Sequence, residues 1–486
     1  MSRLRPDKGA QVMRELIKAV FKTGSGSSAS MILSAISSKI MAVVSGPFGI
    51  GLYSLIQQLV QTVSTTGIAG GGKVVLTQGV ASREGQDRDD FIVTAFWILF
   101  IGAFISSVSL VFLAPWIAPL VFGTSDGATV GLVRWVALPV VLAIALVYLN
   151  GVLNGFMAIG RLAMIQVAGA AMNALLSYPI SVMVDTGYLV AFVAMTTASI
   201  FVQVSIGLSK VIRHGYLRAI VANGFRFRIR KQAARSFFVV ALTMMVASIV
   251  ASVSLLLVRA LIVQYDGIEE AGFFNVAWVI CMVYPTIVLS SFGAYYLPKL
   301  SQTKNHRERS ELMNKVFRLT AILIVPLELL VVVLKPLLID ILYSGEFYPS
   351  LLMLRWMIIG IHLKAATSVF AMPMFSFADM RTYFWTSSLW HIGLVGFTIM
   401  AVAHFESLEM IGVGYVVVYA LYLVYSLHYA RTQHGYAAER RPVITWIVGM
   451  FMVVGASLIT WSDTSINLYV VAAVVIGGLL YLAFSV

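Results

Sequence analysis

The sequence predicts an all-α polytopic membrane protein of about fourteen transmembrane helices, arranged as two parallel six-helix lobes plus two extra C-terminal helices. Three observations predict it. Of 486 residues, 59% are hydrophobic and 11% charged, against roughly a quarter charged in a soluble domain; the mean hydropathy is +0.90. The apolar stretches run about 18–25 residues, long enough for helices to cross a bilayer, rather than alternating over about ten as in an outer-membrane barrel. The two halves of the chain also match each other at one constant offset. A soluble multidomain enzyme is excluded, and so is a disordered chain, which needs low hydrophobicity and high charge.

Each span is an apolar run bounded by charges, glycine or proline. The first, 25–45, follows the basic tail to Lys22, and the second, 50–77, follows Ser45-Gly46-Pro47. Spans 91–121 and 133–157 flank the loop containing Asp126; 162–184 runs from Arg161 to Asp185, and 187–209 stops before Lys210. The second set lies at 236–263, 271–298, 314–342, 351–376, 382–403 and 409–430. Two more, 443–461 after Arg440-Arg441-Pro442 and 466–485 after Asp463, complete the chain. The expected organisation is a tail at 1–24, an N-lobe at 25–209, a basic linker at 210–235, a C-lobe at 236–430 and an appendage at 443–485.

Orientation follows from the loops. Lys and Arg collect in the tail and in alternate loops, at Arg83 and Arg88, Arg161, Lys210 to Arg235, Lys299 to Arg309, and Arg431 to Arg441. The intervening loops carry Asp126, Asp185, Asp266, Glu269, Glu270, Glu346, Glu406, Glu409 and Asp463. Cytoplasmic loops hold the basic excess, so both termini are expected in the cytoplasm. The net charge of +13 is read as this loop bias and not as nucleic-acid binding. The linker motif Phe225-Arg226-Phe227-Arg228-Ile229-Arg230 suits anionic lipid headgroups at a cytoplasmic surface. The basic N-terminus lacks an apolar core with a small-residue cleavage site, so it does not read as a cleavable signal peptide.

The repeat has an offset of 221. Gly51-Leu52-Tyr53 falls on Gly272-Phe273-Phe274, Gly72 on Gly293, Leu113-Ala114-Pro115 on Leu334-Lys335-Pro336, and Arg134-Trp135 on Arg355-Trp356. A one-residue slip then puts Arg161 on Arg381. Six spans per unit restore the same orientation, so the repeats are parallel, as in the two halves of many transporters.

The stretch Ser45-Gly46-Pro47-Phe48-Gly49-Ile50-Gly51-Leu52-Tyr53-Ser54-Leu55-Ile56-Gln57-Gln58-Leu59, with Gly67, Gly70, Gly71 and Gly72 after it, resembles the first two spans of Wzx-type polysaccharide flippases. These belong to the multidrug/oligosaccharidyl-lipid/polysaccharide (MOP) exporter superfamily, with MATE-like architecture, and enteric flippases for lipid III and O-antigen units look closest. The resemblance covers about twelve spans by topology and is concentrated at 45–80 and 264–300. It implies movement of undecaprenyl-diphosphate-linked oligosaccharide from the inner to the outer face of the bacterial inner membrane by alternating access. It also implies a cationic cavity between the lobes and a lateral opening for the lipid tail. Polysaccharide polymerase machinery is a further partner on this reading. No nucleic acid, cofactor or metal is expected: Cys281 is the only cysteine, and the seven histidines are scattered.

Charges inside spans are costly and mark candidates for function. Lys39 in span 1 and Arg259 in span 7 stand at near-equivalent repeat positions, and Lys364 lies centrally in span 10. The three are the candidate cationic cavity for a diphosphate; snorkelling to the interface is the alternative reading. Arg134, Arg355 and Lys335 sit at outer span ends, where interfacial anchoring is expected. Glu328, after Pro326 in span 9, either takes up a proton during transport, pairs with a cation such as Lys364, or packs as a neutral acid. His362, two residues from Lys364 and on another face, is expected to pack or hydrogen-bond. Gln57 and Gln61, Asn150 and Asn154, and Gln166 and Asn173 share helix faces; such amides bind sugar hydroxyls or join helices. The glycines at 67–72 lack a phosphate-loop pattern, so close packing or a hinge is expected.

Three function classes compete. A flippase fits best. A cation-coupled drug exporter predicts acidic residues inside the first lobe's spans, where the sequence shows Lys39 instead. A membrane-embedded polymerase or glycosyltransferase predicts large outer loops, and these are short; no motif supports catalysis.

Overall fold

The structure is a computed structural model and describes residues 8–216, 231–461, 476–478 and 481. Among them, every regular element is helical. The helices are α1 (Lys8–Ser64), α2 (Gly70–Ala81), α3 (Gly85–Phe122), α4 (Gly127–Trp135), α5 (Ala137–Gly155), α6 (Ile159–Asp185) and α7 (Ala191–Arg213). They continue as α8 (Lys231–Tyr265), α9 (Ile268–Ser301), α10 (His306–Leu342), α11 (Ser350–Ser376), α12 (Met380–Ala403), α13 (Glu409–His434) and α14 (Arg440–Ile459). A π-helical turn, Thr65–Ala69, joins α1 to α2, and a 3-10 turn, Gly345–Phe347, precedes α11.

Eleven helices among the described residues are long and apolar enough to cross a membrane; fourteen were expected. The first two expected spans run on in one helix, 28–67, and 271–298 is the 34-residue α9. Most of the last span, 466–485, and the linker motif 225–230 lie outside the described residues. Gly46 separates the first two spans, with φ 57 and ψ −159 inside α1 and Pro47 next in sequence. Proline disfavours the helical region for the residue before it, and glycine alone takes a positive φ at no steric cost.

Contacts divide the chain into two compact units, 1–45 with 55–253, and 46–54 with 254–486. In the first unit α5 packs against α2, α3 and α7, burying Val140, Ile144, Val152 and Leu153. In the second, α11 touches α9, α10, α12, α13 and α14. Such a central helix must be apolar on all sides, and Leu354, Ile358, Ile361 and Phe370 are fully buried on it.

The repeat extends to contacts the sequence did not reveal. In the first unit Arg88 lies over the Phe156 ring at 5.1 Å; in the second Arg309 lies over Phe377 at 4.1 Å. Arg309 and Phe377 stand 221 residues after Arg88 and Phe156 respectively. The residues that follow, Met157 and Ala378, both have positive φ, 53 and 56. Inside the second unit, a Cβ on Gly51 would strike the Ile268 carbonyl, and one on Gly272 would strike the Pro47 carbonyl. These four positions again pair at an offset of 221. A hydrogen side chain on each glycine is what lets the two backbones approach.

Candidate functional site

The intramembrane charges take different environments. Lys39 is half-buried on α1. Arg259 on α8 is 5% exposed and so is folded into its unit rather than snorkelling. It donates to the Leu255 carbonyl at 3.3 Å and to Asn275 Oδ1 at 3.4 Å, and its guanidinium lies 5.3 Å from the Phe274 ring. Its Nε is buried with no hydrogen-bond partner.

Lys364 on α11 is half-buried. Its Nζ lies 3.2 Å from Met282 Sδ and 6.0 Å from the centre of the Tyr419 ring. A thioether is a weak acceptor, and an ammonium has three donors. Among the described residues no carboxylate pairs with Lys364, and its ammonium is held by a ring face and a sulfur.

Glu328 takes its partner from elsewhere. Its Oε2 lies 2.8 Å from Nδ1 of His362, and both side chains are fully buried. The pairing with Lys364 is not formed. His362 Nε2 sits 3.2 Å from the Trp446 carbonyl, and the Trp446 indole stacks on the imidazole at 5.2 Å. A carbonyl only accepts, so Nε2 carries a hydrogen. One further proton lies between Nδ1 and Oε2, on either atom, and the pair is neutral overall in both arrangements. Glu328 Oε1 is buried without a hydrogen-bond partner. Sequence spacing excluded His362 from the face of Lys364 but did not show that it meets Glu328.

Two expectations of interfacial anchoring are corrected. Lys335 is 2% exposed and donates to the Thr460 carbonyl at 2.7 Å and to Thr460 Oγ1 at 3.1 Å. Arg355 is 5% exposed, and its guanidinium lies 4.2 Å from the Trp461 ring. Its neighbour Trp356 donates from Nε1 to Glu409 at 2.7 Å. Both cations cap the packing of α14 instead of reaching outward. Arg134 and Trp135, the first-unit counterparts of Arg355 and Trp356, are exposed.

The amides divide. Gln57 donates to Thr196 Oγ1 at 3.1 Å, and the neighbouring Gln58 donates to the Ser252 carbonyl at 3.1 Å. Asn154 donates to Thr77 Oγ1 at 3.4 Å. These bonds join helices. Gln61 and Gln166 are exposed, and Asn150 is half-buried. Asn173 keeps a buried Oδ1 without a hydrogen-bond partner. The glycines pack closely: Gly67 against Ser106 and Ile144, Gly70 against Thr65 and Ser248, and Gly72 against Leu99. Sequence reading passed over Lys73, a cation near the basic-loop end of span 2, which is exposed on α2.

The sequence matches the family described as "Polysaccharide biosynthesis protein" over residues 74–351, more than half of the chain. The chain belongs to that polysaccharide biosynthesis protein family. Among curated proteins, none matches the sequence. In structure, this polysaccharide biosynthesis protein is similar to the lipid II flippase MurJ in an inward closed conformation, with TM-score 0.69 and 12% identity over 95% of this chain and 97% of that one. It is similar to an inward-facing multidrug resistance MATE family transporter of the MOP superfamily, with TM-score 0.66 and 14% identity over 82% and 93%. A MOP superfamily transporter from Pyrococcus furiosus aligns with TM-score 0.61 and 12% identity over 89% and 99%. At these identities the likeness is one of fold. The polysaccharide biosynthesis protein is thus a multi-pass membrane protein with the MOP transporter fold.

Proposed function

We propose that this protein is a flippase that carries an undecaprenyl-diphosphate-linked oligosaccharide across the bacterial inner membrane by alternating access, with both termini in the cytoplasm. The observation that supports this most is the pairing of a polysaccharide family match with Lys364, an intramembrane cation with which no carboxylate among the described residues pairs. The MOP fold serves flippases and drug exporters alike, so fold does not choose between them. Charge sign favours the flippase: a cationic drug calls for carboxylates, and a diphosphate calls for Lys and Arg. In this reading Lys39, Arg259 and Lys364 attract the diphosphate, strengthened by low dielectric. Asn150, Asn173 and Gln61, with Gln57 and Asn154 when their helix contacts yield, serve the sugar. Glu328, hydrogen-bonded to His362, serves as a lock of the second unit.

The test is deletion in the host and complementation with wild type, Lys39→Ala, Lys364→Ala and Lys364→Arg at matched membrane levels. The expected result is undecaprenyl-linked sugar trapped on the inner face with loss of surface polysaccharide, restored by wild type and Lys364→Arg and not by the alanines. Intact surface polysaccharide in a deletion host that encodes no second flippase overturns the reading.

A further inference from the structure

At the basic-loop end of the second unit, α10 and the start of α14 enclose a cavity of about 510 Å³. Its lining changes character along α10. Lys315 and Arg318 stand at the outer end, Leu319 and Ile322 further in, with Arg441 and Pro442 facing them from α14. Residues three and four apart share one helix face, so the cations and the aliphatic residues form one stripe, about 10 Å long from Lys315 to Ile322. The stripe continues outside the cavity as the exposed Leu323 and Leu330.

The back wall is built and not a packing gap. Asn314, 1% exposed, donates to the carbonyls of Ser310 at 3.0 Å and Ala437 at 2.7 Å. Its Oδ1 accepts from Tyr436 Oη and from the Glu439 amide, both at 3.1 Å. Ser310 Oγ and Ala437 exchange two more hydrogen bonds, at 3.1 and 2.9 Å. The segment before α14 is thereby clamped to α10.

The charge balance identifies the occupant. Two carboxylates, Glu311 and Glu439, also line the cavity. Three cations, Lys315, Arg318 and Arg441, stand with these two carboxylates, and Glu311 also pairs with Arg307 at 3.0 Å. A cationic head beside an aliphatic stripe, at the depth where a span leaves the membrane, matches one chemical class. We propose that this cavity binds an anionic phospholipid of the basic-loop leaflet, cytoplasmic in the orientation proposed above. The phosphate lies among Lys315, Arg318 and Arg441, an acyl chain runs along Leu319 and Ile322, and Glu439 accepts from headgroup hydroxyls. The inference stands whatever substrate the protein transports.

The experiment is native mass spectrometry of the full-length protein purified into nanodiscs containing phosphatidylglycerol or phosphatidylethanolamine, with thermal unfolding on the same samples. Wild type should retain phosphatidylglycerol over phosphatidylethanolamine and unfold at a higher temperature with it. Lys315→Ala/Arg441→Ala should bind it about thirtyfold more weakly, about five- to sixfold for each cation, and lose the thermal gain. Lys315→Arg/Arg441→Lys should keep both, which separates charge loss from misfolding. Equal retention of the two lipids, or undiminished phosphatidylglycerol binding by the folded alanine variant, overturns the proposal. Inorganic pyrophosphate competing as well as the lipid shows a bare phosphate site. Undecaprenyl diphosphate displacing phosphatidylglycerol at equal mole fraction assigns the cavity to substrate. Either of these results also overturns the phospholipid assignment.

Discussion

Glu328 and His362 hold each other inside the second unit, and removing either leaves the other buried without its partner. Breaking a buried pair in this way costs about 3–5 kcal/mol, whereas replacing both members by apolar residues of similar volume is often neutral. Glu328→Ala and His362→Ala should therefore lower the unfolding temperature in detergent strongly, and Glu328→Met/His362→Phe should recover most of the loss. A double variant as unstable as the singles would show that packing, and not the pair, carries the effect. Asp266, in the loop between α8 and α9, has its carboxyl pushed above the ordinary range by burial and then by the Glu406 carboxylate. A carboxyl raised in the folded state opposes stability above its folded pKa, and that opposition fades as pH falls through it. Thermal unfolding should show Asp266→Asn more stable than wild type at pH 7, with the difference closing toward acid. A gap that widens toward acid contradicts the assignment.

Helices meet here through glycines, and the two kinds of glycine contact predict different outcomes. Gly51 and Gly272 each face a backbone carbonyl, which has no rotamer in which to retreat. Alanine at either site should cost about 1–3 kcal/mol, the range for overpacking, and reduce the monodisperse fraction in size-exclusion chromatography. Gly72 faces the tip of Leu99, with a Cβ 3.2 Å from Leu99 Cδ2. That side chain can turn, so Gly72→Ala should express like wild type. Equal loss at all three positions would point to helix flexibility as the cause. All three glycines carried the offset-221 repeat in the sequence; composition did not show which of them face backbone.

For the whole molecule, the proposed orientation is open to direct measurement. The chain has one cysteine, Cys281, and it is buried, so Cys281→Ala provides a clean background for labelling. Asp126→Cys should react with an impermeant maleimide from outside intact spheroplasts, and Arg307→Cys only after permeabilisation. The opposite pattern inverts the topology and with it the leaflet of the lipid cavity. Transport should respond to charge more than to shape: Lys364→Arg keeps activity where Lys364→Ala and Lys364→Met lose at least about tenfold, since one charge-assisted hydrogen bond contributes about 1.5–3 kcal/mol. Counting surface polysaccharide per unit of membrane protein checks it.

The sequence by itself determined the all-helical membrane class, the place of most of the spans and the 221-residue repeat. These depend on quantities local to the chain: apolar length, because a bilayer core leaves backbone groups no partner outside a helix, and loop charge. It also marked Lys39, Arg259, Glu328 and Lys364 inside the spans, because a charge there is costly wherever it points, though it passed over Lys73, Lys315 and Arg318 near the basic-loop ends. Only tertiary structure decided the partners. Glu328 meets His362 on the next helix of its unit, and Lys335 and Arg355 turn inward to Thr460 and Trp461 rather than outward to the interface. Spacing along one helix says which residues share a face, but not which helix lies opposite. That is set by packing between segments far apart in the chain, 125 residues for Lys335 and Thr460 and 194 for Gln58 and Ser252, and a single helix pattern carries no record of it.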